Sequence, residues 1–81
     1  MGDVATLFKI YFDPEKEERV KEKIKEEINP KDIKLEDVAF GIKVMKVLVV
    51  HKDEEGSAKY EEKIRGIEGV NEVEVEEETL I

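Results

Sequence analysis

The fold of this chain is decided by the stretch VAFGIKVMKVLVV, residues 38–50. It is the most β-prone apolar run in the sequence, and its only charged residues are lysines. A run of this kind is typical of a strand in the middle of a sheet, contacted on both faces. Gly41 permits backbone angles that a Cβ forbids, so we predict that the chain turns there and holds Phe40 at the end of the sheet. Phe40 is therefore the first candidate for a functional residue.

Alternation of apolar and polar residues predicts the strands around this stretch. They lie at residues 4–12, at a short segment with Ile33, Leu35 and Val38, at residues 42–51 and at residues 70–75. The inward side chains are expected to be Val4, Thr6, Phe8, Ile10, Phe12, Met45, Val47, Val49, Val73 and Val75. The other, wetter face of the sheet would carry Ala5, Leu7, Val44, Lys46, Leu48 and Val50. The acidic residues 72–78 are interpreted as the wet side of the last strand and a tail beyond it.

Two helices are predicted between these strands. Asp13 and Pro14 open the first helix, because Asp accepts bonds from free amides and Pro suits the first helical position. Its apolar stripe consists of Val20, Ile24 and Ile28. Ser57 is predicted to cap the second helix, which Gly66 closes. Its inward residues would be Tyr60, Ile64 and Ile67.

The resulting order βαββαβ predicts a ferredoxin-like α+β fold, with a four-stranded antiparallel sheet and both helices on one face. The 81 residues suffice for one such domain, spanning residues 1–81, with a thin core. The uncovered face of the sheet is rather apolar. It leaves open a role in binding a partner or a second copy of the chain.

Charge argues against nucleic acid as a direct partner. The chain has 22 acidic against 14 basic residues and a formal net charge of −8, a balance that a phosphate backbone repels. The strand aromatics Phe8, Tyr11 and Phe12 lack the basic-Gly-aromatic pattern of an RNA-binding RRM. They are interpreted as core residues.

Composition also bears on the environment of the protein. The sequence has no cysteine, which excludes thiol chemistry. It has neither an apolar run of roughly 20 residues nor a signal-peptide pattern, so we expect a cytoplasmic protein without membrane contact. Abundant Glu and Lys, with few Asn and no Gln, are typical of proteins from hot environments. A thermal midpoint below about 60 °C would count against a thermophilic source.

No residue pattern in the chain points to an enzyme. His51, the only histidine, has no nucleophile near it in sequence and is interpreted as a surface residue. The acidic residues 53–55 lack the spacing of a calcium loop, which favours a solvated turn over a metal site. Gly66 and Gly69 follow a helix instead of opening one, so they do not form a phosphate loop.

Several short motifs, in order, resemble the archaeal-type translation elongation factor 1-beta family. They are the opening Gly-Asp-Val-Ala, the Ala-Phe-Gly-Ile of residues 39–42, the turn at residues 53–56, and Gly-Ile-Glu-Gly-Val at residues 66–70. The resemblance covers nearly the whole chain. It implies a ferredoxin-like exchange domain that helps elongation factor 1-alpha, a GTPase, to replace GDP with GTP, without a cofactor or metal of its own.

The resemblance also implies contact residues. In eukaryotic relatives the Phe of a Phe-Gly loop contacts the GTPase, and a lysine next to the C-terminal residue reaches towards its Mg²⁺ site. Phe40 and Gly41 match the loop, whereas Leu80, followed by Ile81, replaces the lysine. We predict these four residues as partner-binding. Two alternatives stay open: Phe40 as a core or loop-packing aromatic, and the chain as a small-ligand-binding or oligomerising regulatory domain.

Overall fold

The computed structural model describes residues 2–54 and 56–81. The elements are β1 Asp3–Phe12, a 3₁₀ turn Pro14–Lys16, α1 Glu17–Glu27, β2 Asp32–Ala39, β3 Ile42–Lys52, α2 Ala58–Arg65 and β4 Val70–Leu80. The strands form one antiparallel sheet in the order β2-β3-β1-β4. The predicted ferredoxin-like fold is confirmed, and β3 lies inside the sheet as its apolar run indicates. In the part of the chain described, no helix is long and apolar enough to cross a bilayer.

The core lies on one face of the sheet, beneath both helices. Every second residue of β1 is buried, as its alternation predicts. The cluster beneath the helices comprises Phe8, Ile10, Phe12, Val20, Ile24, Ile28, Met45, Val47, Val49, Ile64, Ile67 and Val73. Both helical stripes and the inward residues of three strands therefore meet in one layer, which confirms that the helices share a face.

The helix boundaries agree with the prediction, but their caps differ from it. The Asp13 carboxylate accepts a hydrogen bond from the Glu15 amide at 3.1 Å, and a 3₁₀ turn precedes α1. Ser57 stands at the N-cap of α2, yet its side chain makes no capping hydrogen bond in the described structure. Its backbone is helical, with φ −80° and ψ −22°, whereas a side-chain cap needs extended angles. Ser57 is therefore at the N-cap as predicted, but its hydroxyl does not supply the hydrogen bond of a side-chain cap.

Gly69 closes the loop between α2 and β4 at a position where no side chain fits. Its φ is +101°, and a Cβ there would lie 2.9 Å from Val20 Cγ2 and 3.0 Å from Lys16 Cβ. We expect Gly69→Ala to lower the free energy of unfolding by about 2–4 kcal/mol, through backbone strain together with overpacking. Gly56→Ala is the matched control, because Gly56 has φ +77° but no heavy atom within 4 Å of the added Cβ. Equal losses in urea unfolding would contradict the overpacking argument.

The last strand differs most from the prediction. β4 runs to Leu80 instead of ending at residue 75, so the acidic residues 72–78 are strand and not tail. Phe8 pairs with Val75 and Leu7 pairs with Glu77, so Glu76 has no partner in β1 and forms a bulge. Val75 faces the helices as predicted but is 40% exposed, because β4 is an edge strand with a neighbour on one side only. An edge strand tolerates charges that an inner strand would not.

The uncovered face is less apolar than the sequence indicates. Lys46 lies across it, with Nζ 2.6 and 2.8 Å from the Glu76 carboxylate oxygens and 3.8 Å from Glu36, and its side chain is only 16% exposed. Val44, predicted on the wetter face, is fully buried between its cross-strand neighbours Tyr11 and Glu36. The remaining apolar residues, Ala5, Leu7, Leu48 and Val50, are half-buried. Strand β4 and Lys46 thus cover part of this face with charge.

Candidate functional site

Phe40 and Gly41 form the turn of the hairpin between β2 and β3. Ala39 pairs with Ile42, so only these two residues connect the strands. Their φ angles are both positive, 51° for Phe40 and 76° for Gly41. Two positive φ values are the pattern of a type I′ turn, whose twist matches that of the flanking strands. The predicted turn at Gly41, with Phe40 at the end of the sheet, is confirmed.

The Phe40 side chain has no packing role in the molecule. A residue with a Cβ at φ 51° crowds the neighbouring carbonyl, at a cost of about 1–2 kcal/mol. The side chain is 101% exposed, so burial does not offset that cost. The alternative in which Phe40 packs into the core or a loop is therefore wrong. An exposed aromatic in a strained turn is a candidate contact for another molecule.

Two further apolar side chains flank Phe40. Val38 and Ile42 are about half exposed, at 50% and 53%. Val38 is the extra residue of a register shift between Asp37 and Ala39, which interrupts the ladder just before the turn. We call Val38, Phe40 and Ile42 the apolar tip. It places three exposed apolar side chains at one end of a protein whose surface is otherwise rich in charge.

The C-terminal residues lie at the edge of the sheet, beside β1. Leu80 is the last residue of β4 and stands opposite Val4, and the Ile81 amide donates to the Asp3 carbonyl at 2.9 Å. The Leu80 and Ile81 side chains are 70% and 72% exposed. Beside them lies an open cleft of about 570 Å³, lined by Gly2, Asp3, Lys52, Asp53, Glu54 and Ile81. The backbone of this end is therefore fixed while its apolar side chains face solvent.

The structure does not bring the four predicted site residues together. β3 leaves the apolar tip at Ile42 and ends at Lys52, opposite Asp3 and close to Ile81. An 11-residue strand with a rise of about 3.3 Å per residue spans roughly 30 Å, in a molecule 41 Å long. Phe40 and Leu80 thus lie at opposite ends of the sheet. A small ligand cannot touch both ends, whereas a macromolecule can.

The interpretation of His51 as a surface residue is wrong. Its side chain is 5% exposed, and Nε2 lies 2.8 Å from Thr6 Oγ1. Nδ1 donates to the Lys52 carbonyl at 2.9 Å, and the ring lies 5.3 Å from that of Tyr60. The Thr6 hydroxyl in turn donates to Glu78 Oε2 at 3.2 Å. A polar cluster is therefore built into the inner side of the sheet near its C-terminal end.

Part of this cluster had a signal in the sequence. His51 comes two residues after Val49, so the alternation of the strand places it on the inward face. Thr6 is the one polar residue among the inward positions of β1. Thr6 and His51 are thus inward polar residues on two strands, and this pattern indicates that they contact each other. Glu78 reaches Thr6 only because of the bulge at Glu76, for which alternation gives no sign.

The other candidates remain outside any site. Phe8 and Phe12 lie in the core as predicted, while Tyr11 is on the uncovered face, where its hydrogen bond raises the pKa of the Lys9 amino group. Asp53 and Glu54 form a turn after β3, and Glu55 lies outside the described residues. Across residues 2–54 and 56–81, no group of three or more acidic or His side chains is placed to hold a metal ion.

Comparison with known proteins identifies the family of this chain. Residues 13–81 match the EF-1 guanine nucleotide exchange domain. The chain is also 37% identical over 87 aligned positions to Elongation factor 1-beta of the archaeon Methanospirillum hungatei JF-1, and the alignment covers 100% of both chains. The chain belongs to the EF-1 guanine nucleotide exchange domain family. The resemblance seen in the motifs is thereby confirmed.

The match to the exchange domain includes every predicted contact residue. Phe40, Gly41, Leu80 and Ile81 all fall within residues 13–81. The matched segment begins just after β1, yet β1 pairs with both β3 and β4. This member of the exchange-domain family therefore needs the residues before Asp13 to complete its sheet.

Proposed function

We propose that this chain promotes the exchange of GDP for GTP on elongation factor 1-alpha. Residues 1–81 act as one exchange domain, in the cytoplasm where translation elongation takes place. The family description and the elongation factor 1-beta relative support the reaction. The observation that carries the choice of contact is the Phe40 side chain, fully exposed and held in a left-handed turn.

An exchange factor acts by preferring one state of its partner. It must bind the nucleotide-free GTPase more tightly than the GDP-bound form. By linkage, the factor by which it weakens GDP binding equals the factor by which GDP weakens its own binding. No covalent bond is made or broken on the exchange factor. The chain therefore needs no catalytic residue, cofactor or metal, and it is not an enzyme in the usual sense.

The sheet supplies a fixed distance between two contacts. The apolar tip and the C-terminal residues are joined by β3, which is paired on both sides by β2 and β1. A GTPase that contacts both ends must match a spacing of roughly 30 Å, set by the length of β3. A partner conformation with that spacing is favoured over one without it. Exchange then follows if the favoured conformation binds GDP weakly.

The C-terminal end contributes apolar contact instead of charge. Leu80 and Ile81 carry no ammonium group that could reach towards a Mg²⁺ site. We expect Leu80→Ser combined with Ile81→Ser to slow exchange about tenfold, which corresponds to about 1.4 kcal/mol of binding energy. The free energy of unfolding should change by less than about 0.5 kcal/mol, since both side chains are exposed. GDP release and urea unfolding provide the two measurements.

Glu77→Gln is the matched control for this double variant. Glu77 is exposed on the same strand, and its partner in the sheet is Leu7, on the uncovered face. Exchange by Glu77→Gln should equal that of the unmodified chain. If the double serine variant exchanges at the normal rate, the C-terminal contact is wrong and Phe40 alone carries the proposal.

The deciding experiment follows the release of fluorescent GDP from a purified archaeal elongation factor 1-alpha. Micromolar amounts of this chain should accelerate release, and saturating GDP should weaken the complex by the same factor by which the chain weakens GDP binding. No acceleration at these concentrations would contradict the proposal. Sedimentation at several concentrations would then test the alternative, an oligomerising regulatory domain, through a mass above that of the monomer.

A further inference from the structure

The polar cluster of His51, Thr6 and Glu78 has three hydrogen-bond contacts, one more than a neutral His51 and the Thr6 hydroxyl have hydrogens to donate. His51 Nδ1 faces the Lys52 carbonyl, His51 Nε2 faces Thr6 Oγ1, and Thr6 Oγ1 faces Glu78 Oε2. The carbonyl and the carboxylate are acceptors only, and a hydroxyl has a single hydrogen. Three contacts therefore require three hydrogens. A neutral imidazole and a hydroxyl together supply two.

One bound proton completes the cluster. In the imidazolium form, Nδ1–H donates to the Lys52 carbonyl, Nε2–H donates to Thr6 Oγ1, and the Thr6 hydroxyl donates to Glu78. A proton on Glu78 would also complete it, but near neutral pH an imidazole holds a proton far better than a carboxylate does. The assembled cluster is thus a cationic ring linked through a hydroxyl to a carboxylate.

Loss of that proton should release Glu78 first. His51 is 5% exposed and Thr6 is fully buried, so neither can exchange its partner for water without moving. Glu78 is exposed, and its contact, at 3.2 Å, is the longest of the three. A carboxylate can be solvated where it stands, whereas a buried hydroxyl or imidazole left unpaired costs more free energy. The weakest member of the cluster is therefore the one that belongs to β4.

Glu78 holds the end of the chain that carries the exposed apolar residues. It lies two residues before Leu80, and the last backbone hydrogen bond runs from the Ile81 amide to Asp3. We propose that His51 is a positioning residue that, as an imidazolium, holds Glu78 through Thr6 and so fixes the end of β4. This inference stands without the proposed function; only its effect on exchange depends on that function.

Among residues 2–54 and 56–81, the hydrogen bonds described above join one acidic group, Glu78, to the His51 ring. From α2, the Tyr60 ring packs against His51, and Lys59 Nζ lies 5.8 Å from the Tyr60 ring. Lys52, next to His51 on β3, pairs at 3.4 Å with Asp3 of β1. Histidine changes charge between about pH 5 and 8. When the imidazolium loses its proton at higher pH, the end of β4 should loosen.

The first test uses the fact that His51 is the only histidine in the chain. Its imidazole ¹⁵N signals in NMR report directly whether one or both nitrogens carry a proton. We expect both to be protonated at low pH. As the proton is lost, the protection factor of the Ile81 amide, which donates to the Asp3 carbonyl, should fall about fivefold with the same midpoint, the change expected for one ordinary hydrogen bond. Protection between β1 and β3 should not change.

A matched pair of variants separates this role from simple packing. In Glu78→Gln the amide group donates to Thr6 Oγ1, whose hydroxyl then donates to the neutral His51 Nε2, so no extra proton is needed. Protection of Ile81 in this variant should be independent of pH. Glu77→Gln removes the same charge from the opposite face of β4 and should keep the original pH profile.

The proposal is overturned if Glu78→Gln keeps the pH profile of the unmodified chain, or if His51 loses its proton without any change in the protection of the Ile81 amide. These measurements need no GTPase. If the protection of Ile81 depends on pH as expected but the chain does not accelerate GDP release, the inference about His51 stands and the proposed function is wrong.

Discussion

Phe40→Asn should slow nucleotide exchange by about 10- to 100-fold while making the domain more stable. The loss follows from removing an exposed aromatic contact, since residues of this type dominate interface energies at about 2 kcal/mol or more. The gain follows from the turn, because Asn tolerates left-handed angles and Asn-Gly is a preferred type I′ pair. We expect about 1 kcal/mol of added stability in urea unfolding.

Phe40→Leu is the control for this prediction. It keeps an apolar side chain at the tip and the same unfavourable backbone angles, so exchange should remain above that of the Asn variant and stability should stay unchanged. If Phe40→Asn exchanged GDP as fast as the unmodified chain, Phe40 would not be a contact residue. A loss of stability would show that the ring packs against the protein in solution.

Phe8→Ala should destabilise the domain without slowing nucleotide exchange per folded molecule. Phe8 is fully buried in the core between sheet and helices, and deleting a buried Phe side chain costs about 3–5 kcal/mol. Domains of this class are stable by only about 5–15 kcal/mol, so a large part of the total would be lost. Exchange per folded molecule should be unchanged, because Phe8 reaches neither end of the sheet. Urea unfolding and GDP release at low temperature separate the two effects.

Phe40→Ala provides the matched comparison, since it deletes the same side chain at an exposed position. Its free energy of unfolding should change by less than about 0.5 kcal/mol. Phe8 is 0% exposed and Phe40 is 101% exposed, so similar losses of stability in the two alanine variants would contradict this difference. The same residue type would thus have a structural role at one position and a binding role at the other.

The sequence predicts the inner part of this fold well. Strict alternation identifies β1, the spacing of Val20 and Ile24 identifies the inward side of α1, and an apolar run identifies β3. These elements are covered by the helices or by neighbouring strands, so burial imposes a clear pattern on them. The turn at Gly41 was also predictable, because glycine marks positions that need positive φ.

The end of the sheet was harder to predict. The sequence predicts that β4 stops at residue 75, since successive glutamates are typical of solvated segments. As an edge strand it needs only one bonded neighbour, and backbone pairing with β1 continues regardless of side-chain charge. The burial of His51 is hard to predict for another reason: a lone histidine is commonly exposed, and only its position two residues after Val49 indicates burial.

The bulge at Glu76 decides which face of the sheet the C-terminal side chains of β4 occupy. With the extra residue, Leu80 stands opposite Val4 on the helix side of the sheet. In an uninterrupted ladder Thr79 would occupy that place and Leu80 would turn to the other face, because strand residues alternate in direction. Among members of this family, a gain or loss of one residue at this point would therefore redirect the whole C-terminus, whereas a substitution there would change only its chemistry.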